Sequence, residues 1–208
     1  MPKIINTKWQ SQKKYPTGCE SVSTVICLNY LGINITVDEF IKNYLESGEI
    51  IKKDNQLYAP SPFDKFVGSP YDDDFSFGCY EPVIEKALNK LISDKKLNYE
   101  VKNLNNVPIG IIIKEYIDKN IPVIFWSTMF ALPTKLTRKW IVPETGEIFQ
   151  WRGNEHCLLL VGYDNEKNIY YFNDPMKNQE EAYPYDKEII EKRHQEQFSN
   201  ACAIIKKN

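Results

Sequence analysis

Histidine is nearly absent from this chain. Only two of its 208 residues, His156 and His194, are histidines. Cysteine is present without a pairing pattern: Cys19, Cys27, Cys79, Cys157 and Cys202 are odd in number and include no CxxC pair. That count argues against a disulfide framework or a structural zinc site, and reduced thiols fit it best. An excess of positive charge is missing too. Lys and Arg total 26 against 28 Asp and Glu, with no basic run, which removes the electrostatic basis for nucleic-acid binding. No apolar run reaches the ~20 residues that cross a bilayer; long runs such as 109–113 and 121–126 read as core elements. The N-terminus, Met-Pro-Lys-Ile-Ile-Asn-Thr-Lys-Trp-Gln, lacks the apolar centre of a signal peptide. A cytoplasmic protein is expected if Met1 is the native start, and an extracellular one only if a signal segment once preceded it. Without an export signal, the sequon Asn34-Ile35-Thr36 reads as chance. Repeats and low-complexity tracts are also missing. No composition break divides residues 1–208, so one domain is expected.

What is there begins with Tyr15-Pro-Thr-Gly-Cys-Glu-Ser-Val-Ser-Thr-Val-Ile-Cys-Leu-Asn-Tyr-Leu-Gly32. Thr17 and Glu20 have the spacing of a capping box, and Gly32 suits a helix C-terminus. The residues between are small or apolar on nearly every side, which predicts a buried central helix. Cys19 then sits in the first turn, where free amides and the helix dipole favour a thiolate. The blander reading of Cys19 is a small core residue.

Further on, Thr36 and Glu39 form a second capping box before a short helix carrying Phe40, Ile41, Tyr44 and Leu45, closed by Gly48. Residues 48–79 have no periodicity, yet their scattered aromatics predict an ordered loop packed on the body, with a solvated loop as the alternative. Helices are expected from about Tyr80, with Pro82 in the first turn, and over 109–119. Strands are expected at 97–104, 121–128 and 201–205, with hairpins around Pro143-Glu-Thr-Gly146 and between 156–163 and 168–174. A polar helix is expected near 186–197. Helices first and an antiparallel sheet second is an α+β pattern.

The second hairpin carries the chemistry. If Asp164-Asn165-Glu166 is its loop, Tyr163 faces Lys167 and His156 lies directly opposite Asp174. A loop longer by two residues leaves the pair on one face as diagonal neighbours, whereas a slip of one residue separates them. A carboxylate beside a histidine fixes its tautomer and supports the imidazolium, as an acyl-transfer base requires. The alternative is an ordinary His–Asp pair. Asn173 points to the other face. Cys157 also alternates away from His156 and reads as core, while His194, in a charged helical segment, reads as solvated. A metal site from Cys19, Cys79, His156 and Cys157 can be written down, but adjacent strand residues point apart.

Six stretches occur in an order that resembles the papain-like bacterial cysteine peptidases related to the double-glycine peptidases of bacteriocin leaders. They are Pro16-Thr-Gly-Cys-Glu-Ser-Val-Ser, Phe66-Val-Gly-Ser-Pro70, Gly78-Cys-Tyr-Glu-Pro-Val-Ile-Glu85, Pro122-Val-Ile-Phe-Trp126, Glu155-His-Cys-Leu-Leu-Leu-Val-Gly-Tyr163 and Asn173-Asp-Pro175. The resemblance implies a papain-like fold, with an N-terminal helical part around a central buried helix and a C-terminal antiparallel sheet. It implies Cys19 as nucleophile, His156 as base and later acid, and Asp174 as the orienting residue. Gln12, with Gln10 as runner-up, would supply the oxyanion-hole amide. The implied activity is hydrolysis of a peptide or related amide through an acyl-enzyme, on a peptide or protein substrate, with no cofactor and no metal. Acyl transfer at the same site and a degenerate binding module are the alternatives. Double-glycine cleavage belongs to relatives fused to a transporter, and no transporter is present in this sequence.

Overall fold

A computed structural model describes residues 1–177 and 181–207. The chain opens with β1 (Lys3–Ile4), α1 (Cys19–Tyr30) and α2 (Val37–Asn43). Four short strands follow: β2 (Ser47–Gly48), β3 (Ile51–Lys53), β4 (Gln56–Tyr58) and β5 (Phe66–Val67). Next come α3 (Glu81–Asp94), β6 (Tyr99–Asn103), α4 (Ile109–Glu115), β7 (Val123–Thr128), β8 (Lys135–Ile141) and β9 (Ile148–Gly153). The remainder is β10 (Glu155–Asp164), β11 (Ile169–Asn173), β12 (Tyr183–Asp186), α5 (Lys187–Glu196) and β13 (Ala201–Lys206).

The main sheet is antiparallel, in the order β12-β11-β10-β7-β13-β6, with β1 added along β10. Its central strands are covered on both faces: every residue of β7 is buried, and all of β10 except Tyr163. Helix α1 packs on β10 and β7, and residues 19–28 are all buried, hydroxyl-bearing Ser21, Ser23 and Thr24 included. The α+β architecture and the buried central helix are as expected. The strand β1 and the strands within 47–67 are additions.

Two capping boxes were expected and one forms. Thr36 accepts from the Glu39 amide while Glu39 reaches back to the Thr36 amide. At α1 the N-cap is Gly18, with no side-chain cap. The Thr17 hydroxyl instead donates to the carbonyls of Ser69 and Asp72, each at 3.0 Å. Glu20 is fully buried and turns inward, because a core carboxyl must find its donors there. At the other end Gly32 takes φ +80, the left-handed conformation expected of a helix stop. Helix α2 ends at Asn43 rather than running towards Gly48, and α4 breaks at Tyr116 into a 3-10 turn over Ile117–Lys119.

Residues 48–79 are ordered. Phe66 and Val67 are buried, and a second sheet, β3-β4-β8-β9, draws on this region. The stretch after β5 lies against the start of α1, where a side chain at Gly18 would come within 3.2 Å of Pro70 and 2.8 Å of Tyr15.

Candidate active site

The β10–β11 hairpin brings His156 and Asp174 together by a route other than the expected one. Asp164 pairs with Ile169 and Tyr163 with Tyr170, so the loop spans residues 165–168. That register is off by an odd number of residues and by itself would turn Asp174 away from His156. A bulge between Leu160 and Gly162 absorbs one residue, after which Leu160 faces Phe172 and Leu159 faces Asn173. Continued one step, Asp174 is level with Leu158, two residues from His156 and on its face. The two are diagonal neighbours, not direct partners. The bulge lies where β1 docks, with the Ile5 amide donating to the Val161 carbonyl at 2.7 Å.

His156 Nε2 lies 2.8 Å from Asp174 Oδ1, and both side chains are 1% exposed. Asp174 is held by further donors: the Met176 amide at 2.9 Å on Oδ1 and the Tyr185 hydroxyl at 2.6 Å on Oδ2. Burial alone would raise its pKa. The His156 ring, the Tyr185 hydroxyl and the Met176 amide outweigh that and hold it down at about 2. The Trp9 indole donates to the Asp174 carbonyl at 2.8 Å, and the Gln12 amide donates to the Pro175 carbonyl at 3.0 Å. The N-terminal segment is thereby tied across the sheet to the tip of β11. Asn173, on the other face, donates to Thr7 Oγ1 at 3.1 Å.

Gln12 is buried in the turn that leads into α1, with Nε2 donating to the Pro16 carbonyl at 3.1 Å and Oε1 without a partner among the described residues. An amide group carries two N–H donors, and this contact engages one. Gln10 is half-buried.

Cys19 opens α1 and is 5% exposed, while the other four cysteines are fully buried. Its Sγ accepts from the Cys157 amide at 3.4 Å, which sets the nucleophile candidate beside the residue that follows His156. The expectation of a thiolate is not met in this conformation. Sγ faces Glu20 Oε2 at 3.4 Å. Burial first, then the negative charges of Glu20 and Glu155, push the thiol well above its ordinary pKa. The helix start supplies a partial positive charge, and two nearby carboxyls together with desolvation outweigh it.

Glu20 and Glu155 were not recognised in the sequence as part of the site. Glu20 Oε1 accepts from the Cys79 amide at 2.7 Å. Burial raises Glu20 to about 7, and burial plus the facing Glu20 raises Glu155 well above the carboxylate range. Tyr185 was missed as well, because its place beside Asp174 depends on β12 pairing with β11, a pairing the sequence pattern did not show. The hint for the glutamates lay in the sequence: each adjoins a proposed catalytic residue.

His194 is not solvated. It is 3% exposed, its Nδ1 lies 2.7 Å from the Trp126 carbonyl, and its ring stacks on Phe125 at 3.9 Å between centroids. Burial drives its pKa down to about 4, so it is a neutral core histidine. Cys157 is core, as expected.

The family model described as "Peptidase_C39 like family" matches residues 4–202. No curated protein matches the sequence. Among solved structures, the crystal structure of a candidate C39-like peptidase from Bacillus anthracis superposes with a TM-score of 0.84 at 21% identity, covering 100% of this chain and 99% of that one. At that identity the likeness shows the fold alone.

Proposed function

The chain belongs to the Peptidase_C39-like family of cysteine peptidases, and we propose that it hydrolyses peptide or related amide bonds with Cys19 as nucleophile, His156 as general base and Asp174 as the orienting residue. The observation that carries this reading is the buried His156–Asp174 pair at 2.8 Å, one residue along β10 from the amide that touches Cys19 Sγ.

Asp174 occupies Nε2 of the ring, which leaves Nδ1 for the thiol. For reaction, Sγ turns from Glu20 towards His156, which takes its proton. The thiolate attacks the substrate carbonyl, and charge develops on the carbonyl oxygen. The Cys19 backbone amide and the second N–H of Gln12 are the donors assigned to that oxyanion. His156 then protonates the leaving amine, and water attacks the thioester with His156 again as base. Asp174 stabilises the imidazolium in both halves. With Cys19 only 5% exposed, substrate must displace neighbouring groups to reach it.

The test is cleavage of proteome-derived peptide libraries by wild-type and Cys19→Ala protein side by side. Cleavage by wild type that vanishes in Cys19→Ala supports the reading. Equal cleavage by both removes Cys19 from the chemistry.

A further inference from the structure

Beside the proposed nucleophile lies a buried carboxyl with one unsatisfied oxygen among the described residues. Glu155 is 8% exposed, and its Oε1 has no hydrogen-bond partner among the described residues. An unpaired buried carboxylate costs several kcal/mol, on the order of the penalty for any lone buried ion. The group therefore carries a proton or meets a cation. Its surroundings are themselves ligating. One carboxylate oxygen of Glu155, one of Glu20 and Sγ of Cys19 all lie within 4.8 Å of one another, and all three residues are buried.

Gly78 borders this space with φ +128. A side chain there would lie 2.5 Å from Glu20 Oε1 and 3.2 Å from Glu155 Oε2, so glycine is what lets the two carboxyls converge.

We propose that Cys19, Glu20 and Glu155 form a binding site for a divalent cation of the zinc class. The spacing fits. Zinc–sulfur and zinc–oxygen bonds of ~2.3 and ~2.0–2.2 Å, set at a tetrahedral angle, give a sulfur-to-oxygen edge of about 3.5 Å. The edge from Cys19 Sγ to Glu20 Oε2 is 3.4 Å. The donor set also selects the ion. A thiolate is a poor ligand for magnesium or calcium and a good one for zinc or cobalt, while the carboxylates suit either class.

Without the ion, burial shifts these groups towards their protonated forms. Binding forms one metal–sulfur and two metal–oxygen bonds and releases the displaced protons to solvent, so affinity rises with pH. The bound sulfur shares electron density with the metal, is a weaker nucleophile than the free thiolate and is held on the carboxyl side of the site. If Cys19 is the nucleophile, as proposed above, the ion is a reversible inhibitor. The binding itself does not depend on that role.

Cobalt(II) is the probe. Metal-free protein at pH 7.5 is titrated with Co²⁺ and followed by absorbance. One equivalent should produce a near-ultraviolet thiolate-to-cobalt band together with visible bands of a tetrahedral site, and Zn²⁺ should abolish both. Cys19→Ser should lose the near-ultraviolet band. Glu155→Gln, whose fold is checked by circular dichroism, should weaken binding at least about 10-fold, since even outer-shell partners of metal sites are worth that much. Cys202→Ala, in the core, should behave as wild type. Absence of the thiolate band, its survival in Cys19→Ser, or unchanged affinity in Glu155→Gln overturns the proposal and leaves the two glutamates as an acid pair sharing a proton. Protein that binds Co²⁺ in this way but cleaves no peptide when assayed metal-free would overturn the peptidase reading and leave the site standing.

Discussion

Gly162→Ala should loosen the N-terminal segment from the catalytic side of the sheet. Gly162 pairs with Ile4 across β1 and β10. A Cβ added there would lie 2.2 Å from the Lys3 carbonyl oxygen and 2.9 Å from Ile4 Cα, both backbone atoms that cannot rotate away. Either β1 lifts off or β10 shifts. Overpacking of this kind costs about 1–3 kcal/mol. Taking about 2 kcal/mol, the melting temperature of a chain this size should fall by roughly 4–8 °C. The loss should be local in origin. The Ile5 amide, bonded to the Val161 carbonyl, should exchange faster, as should the Gln12 amide on the Pro175 carbonyl. Scanning calorimetry reads the first effect and hydrogen exchange the second. Turnover should fall too, because the same segment carries Trp9 to the Asp174 carbonyl and positions Gln12. Wild-type melting together with wild-type protection at Ile5 would refute the reasoning, and with it the claim that glycine is required there for close approach.

Three further outcomes follow from the same geometry. Gln12→Ala should lower turnover on the order of 100-fold by removing an oxyanion donor, measured on a substrate from the peptide-library screen; full activity there with a large loss in Gln10→Ala moves the role to Gln10. Tyr185→Phe removes a donor to ionised Asp174, a bond worth about 1.5–3 kcal/mol. The Asp174 pKa is depressed to about 2 in the fold, so its stabilisation is present above the ordinary carboxylate range and lost as pH falls through about 2. Urea unfolding should therefore show the Tyr185→Phe deficit at pH 7 shrinking at the lowest pH the fold survives, and a pH-independent deficit would contradict this. His194 should stay neutral down to about pH 4, seen as a ring resonance in NMR that does not move near pH 6.5. Its depressed pKa means stability is complete above about 6.5 and declines as pH falls towards 4, by up to about 3 kcal/mol.

Legibility in the sequence followed burial. Thr36–Glu39 and Thr17–Glu20 share one pattern, and only the first makes the box it spells. Glu39 is exposed and has no stronger demand on its carboxylate, whereas Glu20 is buried among the Cys79 amide, the Cys19 thiol and Glu155. That Cys19 starts a helix and that His156 and Asp174 share a face could be anticipated because helix starts and strand alternation are local. Their register could not. The hairpin loop is longer than its turn residues suggest, and a bulge where β1 docks restores the parity that a simple hairpin would have lost. His194 was misjudged because its neighbours in sequence are charged, while the face it presents, with Ile190, packs against β7. The sequence also suggested a thiolate from the helix start alone. The opposing carboxyl of Glu155 comes from a strand far along the chain, and only the fold sets it beside Cys19.

The central claim is that Cys19 is the reactive thiol, and alkylation kinetics test it without knowledge of the substrate. Native, metal-free protein is treated with iodoacetamide across pH 6–9 and each cysteine is quantified by peptide mass spectrometry. Cys19, the one cysteine with any exposure, should be modified well before Cys27, Cys79, Cys157 and Cys202, and its rate should climb with pH because its carboxyl neighbours oppose the thiolate. Equal labelling of all five cysteines, or faster labelling of any other, would contradict the account.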